Sequence, residues 1–534
     1  MIQSVGIDFG KTGPHKVRCL DERAQQCDGF IFHSTLEGLA KLEERIFQDG
    51  SNPVIVFEPT GLVWLPVVIY LRAHHPDCRL VRAKVQKVAA LRKYLRGRSK
   101  SDRIDALTLA KMPFIDPEQL YEVYLRPPEL QTLHRLNEQR WRLEQGVTAR
   151  KNRIGAIIDG YFPGLRQAFD DRWSPRARAF FREQLNPLAV LRAGEEALHA
   201  FLKEAAPRSK ASLVESHQVY MACQSAAAIY EASMAAGAVN EDSFTALQEE
   251  IACELRLLEA EEAEAENLAR RIKELYQKLH PEKHLETIPG VGEITAPVFL
   301  AGVGEPGRFR NQSAFANWNG VVPGAKQSSE VEGKGLKMTK AGPAIMKWGL
   351  YLAGDVGRQW DPQLAYVYYR QMVYHGKTHN QAMGAVMSHL AGRILAVRRE
   401  GRPYELRDTE GKAISRKDAR QLILSKYQVP EEIRRQRRRR NPRQGKPTSR
   451  TRKKGEIVEC PKRGEAATAP QLEPAPAIPH KPVYAAELAI SSQATRLAAS
   501  LDKSRERSPG KPGRSEPESN SCRYRTGSRA DPET

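Results

Sequence analysis

Arg98-Ser99-Lys100-Ser101-Asp102-Arg103-Ile104-Asp105-Ala106-Leu107-Thr108-Leu109-Ala110 is the stretch on which the reading of this chain turns. Asp102 and Asp105 stand three apart, on one face of a helix that opens there. Far upstream, Asp8 ends the apolar run Val5-Gly6-Ile7, and Glu58 ends Pro53-Val54-Ile55-Val56-Phe57. Both runs read as buried strands, which places both carboxylates at a sheet edge, the usual position of catalytic groups in open α/β sheets. Four carboxylates that converge cannot all stay ionised without a cation, and hard oxygen donors favour magnesium or manganese. A plainer reading competes with this one: Asp102 as an N-cap and Asp105 in the first turn stabilise a helix with no metal at all.

Around this stretch the chain alternates in a definite order. Residues 2–8, 14–20 and 28–33 read as strands, the first two separated by a turn at Gly10-Lys11-Thr12-Gly13. Ser34 with Glu37 forms a capping box for a helix whose apolar face is Leu36, Leu39, Leu42 and Ile46. Strand 53–58, a helix from Leu62, a strand around Arg79–Arg82, a basic helix Lys84–Leu95 and the helix at Asp102 follow. Three strands, helix, strand, helix, strand, helix is the order of ribonuclease-H-like α/β folds. Lys84, Lys87, Arg92, Lys93, Arg96, Arg98, Lys100 and Arg103 crowd the approach to the acidic pair. They are either a basic rim for a phosphodiester or a solvated helix face.

Composition narrows the partners. The chain of 534 residues carries 84 Lys+Arg against 64 Asp+Glu, a formal charge of +20, which points to a polyanion and first to nucleic acid. No apolar run approaches the ~18 residues needed to span a bilayer, and the N-terminus has no signal-peptide pattern. Seven scattered cysteines without a C-x-x-C pair suggest neither a disulfide framework nor a zinc site, so a reducing cytoplasm is expected.

From Pro128 to Glu282 the pattern is helical. Phe244, Ile251, Leu258, Ala265, Ile272 and Leu279 fall seven apart, with Leu247, Leu268 and Leu275 at d positions and Glu254 and Glu261 interrupting the seam. This reads as a coiled-coil arm for dimerisation, or as a helical hairpin packed within the chain. Ile288-Pro289-Gly290-Val291-Gly292 has the form of a helix-hairpin-helix, in which Gly290 and Gly292 would let backbone N–H groups approach a phosphate; a tight turn is the alternative. Trp318–Gly342 is a Gly- and Lys-rich loop with adjacent Ser328 and Ser329; it reads as a solvated loop, or as one whose Lys326, Lys334, Lys337 and Lys340 help hold a phosphate. Tyr366, Tyr368, Tyr369 and Tyr374 are interleaved with basic residues, a pattern for core packing or for stacking on nucleic acid. Beyond Asp408 regular structure is expected to thin out, and the arginines from Arg434 to Arg443 read as solvated or bound to polyanion.

Taken in order, Gly6-Ile7-Asp8, Phe57-Glu58-Pro59-Thr60-Gly61, Lys100–Ala106, the Pro289 hairpin, Gly320-Val321-Val322-Pro323 and Met338-Thr339-Lys340-Ala341-Gly342 resemble the IS one-ten family of insertion-sequence transposases. These are the DEDD transposases, related to Piv-type DNA invertases. The resemblance runs from Met1 to about Arg407. It implies a Holliday-junction-resolvase version of the ribonuclease H fold, with Asp8, Glu58, Asp102 and Asp105 as the acidic set. It also implies a serine nucleophile, which by its distance from Thr339-Lys340 falls on Ser329. The family carries Ser-Gly at that point, where this chain has Ser328-Ser329-Glu330. A structured noncoding guide RNA is a further implied partner.

The expected domains are 1–127, ribonuclease-H-like; 128–282, helical with a coiled-coil arm; 283–407, a transposase domain with hairpin and serine loop; and 408–534, a basic, largely disordered tail. The expected protein is a DNA transposase-recombinase in the bacterial cytoplasm, at the nucleoid and not in a membrane. It would use magnesium or manganese and act on element ends and target DNA as a homo-oligomer, dimer or tetramer, completing its active site across protomers. The rivals are a water-using junction resolvase that needs only the four carboxylates, and a nucleic-acid-binding scaffold. A phosphate-loop ATPase built on Asp8-Phe9-Gly10-Lys11-Thr12 lacks the second loop that such folds need.

Overall fold

The computed structural model describes residues 1–439 apart from 49, 60, 97–101, 208–212, 238–239, 325–326, 329–330, 333–337 and 340. The chain divides into two units, Met1–Arg126 and the part from Pro127 onward.

The first unit is a mixed sheet covered by helices. Its strands are β1 (Ser4–Asp8), β2 (His15–Leu20), β3 (Gln26–Phe32), β4 (Val54–Phe57) and β5 (Leu80–Ala83). Helices α1 (Leu36–Phe47), α2 (Leu65–His74), α3 (Val85–Arg96) and α4 (Asp102–Ile115) fall between and after them, in the order read from the sequence. β1 is antiparallel to β2 and parallel to β4, and β5 continues the parallel part. The period-2 alternation of a strand sorts the core. Val5, Ile7, Ile55 and Phe57 pack with Leu39, Leu42, Ile46, Val68 and Leu71 on one face. Val56 and Val81 pack with Val88, Leu109 and Met112 on the other. A sixth strand, β6 (Leu120–Glu122), lies antiparallel along the outer edge of β5. Three residues carry no alternation to read, so only the exposed edge of β5 specifies it.

The start of α1 corrects the expected capping box. Thr35 caps the helix, its Oγ1 accepting the Gly38 N–H at 3.1 Å, while the Ser34 hydroxyl is 2.7 Å from His15 Nε2. Starting one residue later, the helix leaves Leu36 76% exposed and buries Leu39, Leu42 and Ile46.

The second unit is built mainly of helices. After α5 (Pro128–Tyr161) come α6 (Pro175–Glu183), α7 (Pro187–Ala193), α8 (Glu195–Glu204), α9 (Leu213–Ala235) and the long α10 (Glu241–Leu279). α5 and α10 lie antiparallel: Leu133 packs with Leu268, Ile272 and Tyr276, and Ile154 with Ile251, Leu255 and Leu258. The seam read as a dimerisation arm is thus filled from within the chain. The two glutamates that interrupt it are explained as well, since the Arg150 guanidinium lies 3.0 Å from both Glu254 and Glu261. Amphipathic repeats specify that a partner is needed, not which one.

The last part of the unit holds α11 (Ala296–Val303), α12 (Gln312–Trp318), α13 (Ala344–Gly357), α14 (Pro362–Val373) and α15 (His379–Glu400), sharing one core with the end of α10. Regular structure does not stop at Asp408. α16 (Arg416–Lys426) and α17 (Glu431–Arg439) follow, held by buried Ala419, Ile423 and Val429 and by Ile433 against the main core. A few apolar side chains among many charges suffice to dock them, a sparse signal that composition hides. The expected disorder beyond residue 439 lies outside the described residues, among which no helix is long and apolar enough to cross a membrane.

One buried charge ties this unit together. Asp361, 1% exposed, caps α14 by accepting the Leu364 N–H at 3.0 Å and the Tyr404 hydroxyl at 2.5 Å, and Arg393 lies 3.2 Å from its carboxylate. The Tyr404 N–H in turn reaches Thr287 Oγ1 at 2.9 Å, just before the Pro289 turn. Removing one partner of a buried ion pair strands the other, so Asp361→Ala is expected to cost ~3–5 kcal/mol. Denaturant unfolding followed by circular dichroism measures this, and a variant as stable as the parent would refute the network's role.

Candidate active site

The candidate site begins with a glycine. Gly6 sits mid-strand in β1, where a Cβ would lie 2.0 Å from Ala106 O and 2.4 Å from Ala110 N of α4. The missing side chain lets helix and strand touch, and the Ser4 hydroxyl locks the contact by donating to Ala110 O at 2.8 Å. Two strand residues advance ~6.6 Å and four helical residues ~6 Å, so the two elements stay in step. Ser4 meets Ala110 and Gly6 meets Ala106. Continued for two more strand residues, the same spacing would bring Asp8 toward Asp102, the first residue of α4.

Glu58 joins from the neighbouring strand. Gly6 pairs with Val56 and Ile7 with Phe57 across the parallel β1–β4 ladder, so Asp8 and Glu58 follow one another's register at the same sheet edge. Asp8 shares the α4-facing side of β1 with Ser4 and Gly6, and Val56 shares that side of β4. Asp105, half-buried in the first turn of α4, accepts a hydrogen bond from Arg92 Nη1 of α3 at 2.7 Å. In sequence Arg92 is one of eight basic residues, a basic rim or a solvated helix face, and nothing in the 13-residue spacing announces its pairing with Asp105. Among the described residues no group of three or more His, Cys, Asp or Glu side chains is arranged to hold a metal ion, and the side chain of Asp102 lies outside that set. Other members of the rim also have local partners: Lys87 is 3.8 Å from Asp116, and Lys84 lies over the Tyr121 ring at 4.7 Å.

In the second unit the Pro289 turn follows a short 3-10 segment, His284–Thr287, and leads into α11. Gly290 has φ +88°, and a Cβ there would lie 2.0 Å from Ala353 O of α13, so packing against α13 alone requires glycine. The Gly292 N–H donates to Thr295 Oγ1 at 3.2 Å. Beneath the turn, the Leu285 N–H donates to His280 Nε2 at 3.4 Å, which needs a neutral ring. Burial, with Arg398 nearby, pushes His280 down to about 4.

The base of the serine loop is also held by glycines. A Cβ on Gly320 would meet Ala341 O at 1.9 Å and one on Gly342 would meet Trp318 O at 2.0 Å, and both have positive φ. The Thr339 N–H donates to Val322 O at 3.1 Å, and Lys347 Nζ donates to Ala341 O and Gly342 O at 3.1 Å each. Further out, β7 (Gln327–Ser328) pairs with β8 (Val331–Glu332), Ser328 opposite Val331. Ser329, Lys326, Lys337 and Lys340 lie outside the described residues.

Two family models match these two regions. One, described as a transposase, covers residues 5–163 and so contains Asp8, Glu58, Asp102 and Asp105. The other, described as the transposase IS116/IS110/IS902 family, covers residues 282–369, from the Pro289 turn through the serine loop. The chain belongs to the IS110 family of transposases. Relatives of this IS110-family chain agree. An insertion element IS110 protein of Streptomyces coelicolor is 24% identical over 414 residues, 76% of this chain and 96% of the relative. An insertion element IS116 protein of Streptomyces clavuligerus is 24% identical over 291 residues, 54% of this chain and 68% of the relative. A pilin gene-inverting protein of Moraxella bovis is 27% identical over 128 residues, 24% of this chain and 40% of the relative.

Two outcomes follow from this geometry. Gly6→Ala forces a side chain into helix backbone and is expected to destabilise the family's N-terminal unit by at least the ~1–3 kcal/mol of ordinary overpacking; hydrogen exchange across β1 and α4 reads this, and unchanged protection would refute the contact's importance. His280 has a folded pKa depressed from 6.5 to about 4, so its contribution is present above 6.5 and lost as pH falls toward 4. The melting temperature should therefore drop more steeply over that window in the parent than in His280→Gln, and parallel curves would sink the assignment.

Proposed function

We propose that the chain is a DNA transposase-recombinase that cuts and rejoins the ends of an insertion element. What supports this reading is that Asp8 ends β1 and Glu58 follows the adjacent parallel β4, and that β1 packs backbone to backbone against α4, the helix of Asp102 and Asp105. The order of the sheet and its helices supports assigning the first unit to the ribonuclease-H-like class. Carboxylate oxygens are hard donors, and Asp8, Glu58, Asp102 and Asp105 would together hold magnesium, or manganese in its place. A divalent ion there supplies Lewis-acid polarisation of a phosphoryl oxygen and offsets the charge of the transition state. Arg92 keeps Asp105 oriented in the first turn of α4.

In this proposal Ser329 Oγ forms a bond to the scissile phosphorus, and the DNA 3′ oxygen leaves with the serine's proton, giving a 5′-phosphoserine. A second DNA 3′ hydroxyl later attacks that phosphorus and returns the serine. Lys326, Lys337 and Lys340 would hold the phosphate, and the Gly290–Gly292 turn would contact DNA backbone without reading sequence, the Gly292 N–H exchanging Thr295 Oγ1 for a phosphate oxygen. Proposed partners are element-end and target DNA, a structured noncoding guide RNA, for which the net charge of +20 is suited, and further copies of the chain as a dimer or tetramer. The proposed compartment is the bacterial cytoplasm, at the nucleoid.

The test is to incubate the protein with element-end DNA and magnesium, denature, and map any covalent adduct by mass spectrometry. An adduct on Ser329 that disappears in Ser329→Ala, in Asp8→Asn and on chelation is expected. Cleavage that survives Ser329→Ala would hand the reading to a water-using junction endonuclease. Binding without any strand cleavage would favour a scaffold.

A further inference from the structure

The C-terminal helices assemble a surface that the acidic site and the serine loop do not use. Tyr366 and Tyr369 of α14 pack against Tyr427, which follows α16, with ring centroids 5.4 and 6.2 Å apart. The series continues from Tyr369 to Tyr374 at 5.8 Å, and there it leaves the protein: Tyr374 is 62% exposed. The first three rings are explained by packing, whereas an exposed ring at the end of a helix adds little to a core. Exposed Arg370 stands one turn before Tyr374 on α14. The Arg437 guanidinium of α17 lies 3.5 Å from where a side chain on Gly376 would begin, two residues past Tyr374. Arg434 is three residues before Arg437 and shares its face of α17. Arg437 Nε is buried with no hydrogen-bond partner among the described residues. The helix is not a loose charged run, because Ile433 packs into the unit's core.

We propose that this corner binds single-stranded nucleic acid, one base stacking on Tyr374 while Arg370, Arg434 and Arg437 take the flanking phosphates. An open aromatic face bordered by arginines suits an unstacked base, which a duplex does not offer; base stacking with phosphate pairing is the chemistry of sequence-tolerant single-strand sites. The two matched family regions end at residues 163 and 369, before this surface is complete. Arg438, Arg439, Arg440 and Arg443 follow in sequence.

The experiment uses the full chain with divalent ions removed, so that its result is independent of strand cleavage and of the acidic site. Short oligothymidylate and oligouridylate carrying iodouracil are photocrosslinked and the adducts mapped; fluorescence anisotropy gives affinities for the same strands and for a duplex. Crosslinks on Tyr374 are expected, and the more efficient strand identifies DNA or RNA as the ligand. Tyr374→Ala should lose them and weaken single-strand binding on the order of tenfold, with duplex binding unchanged and Tyr374→Phe retaining affinity. Arg370→Gln with Arg434→Gln should weaken binding and flatten its salt dependence. Crosslinks confined to residues beyond 439, or wild-type single-strand affinity in Tyr374→Ala, would overturn the proposal.

Discussion

The catalytic reading of this protein depends on the absence of one side chain. At Gly6 the backbone of the central strand lies against the backbone of α4, closer than any Cβ would allow. That contact sets the height of the helix on the sheet, and with it the level at which Asp102 and Asp105 stand relative to Asp8 and Glu58. A strand and a helix advance by nearly equal steps for two and four residues, so one close contact and the Ser4 bond to Ala110 suffice to hold the register along the whole pair.

The same device recurs in the second unit. Gly290 presses the Pro289 turn onto α13, and Gly320 and Gly342 close the neck of the serine loop. Each has positive φ as well as a backbone neighbour where a side chain would go, so two constraints select glycine independently. The unit's length, in contrast, is organised by ordinary side-chain packing. α10 runs through both of its cores, contributing Leu247, Ile251, Leu255 and Leu258 to one and Leu268, Ile272 and Tyr276 to the other. Arg150 lies between the carboxylates of Glu254 and Glu261, and Arg153 gives the buried Glu254 a second partner.

Much of the first unit was legible because its signals are local. Strands read at 2–8, 14–20, 28–33, 53–58 and 79–82 overlap the five longer strands, and Asp8 and Glu58 were recognisable as strand ends from the apolar runs Val5–Ile7 and Pro53–Phe57. β6, α16 and α17 were not legible, since each is specified by an edge or a few docking residues supplied from elsewhere. The choice between Ser34 and Thr35 as a cap was decided by His15, which is distant in sequence and takes the Ser34 hydroxyl. Asp105 was legible as a residue in the first turn of a helix, but its Arg92 partner was hidden among eight basic residues of equal standing.

By itself the sequence determined the order of elements, the positions of the carboxylates at strand ends and a helix start, and the existence of an apolar seam along α10. Those are properties of spacing, and periods of two and three and a half residues survive without knowledge of any neighbour. Only the tertiary structure decided that the seam closes on α5 of the same chain, that Gly6 meets α4, and that Tyr374 ends a row of packed rings in the open beside Arg370. Partner choice is a matter of distance through space, and a linear pattern states what each face needs without stating what will come to meet it.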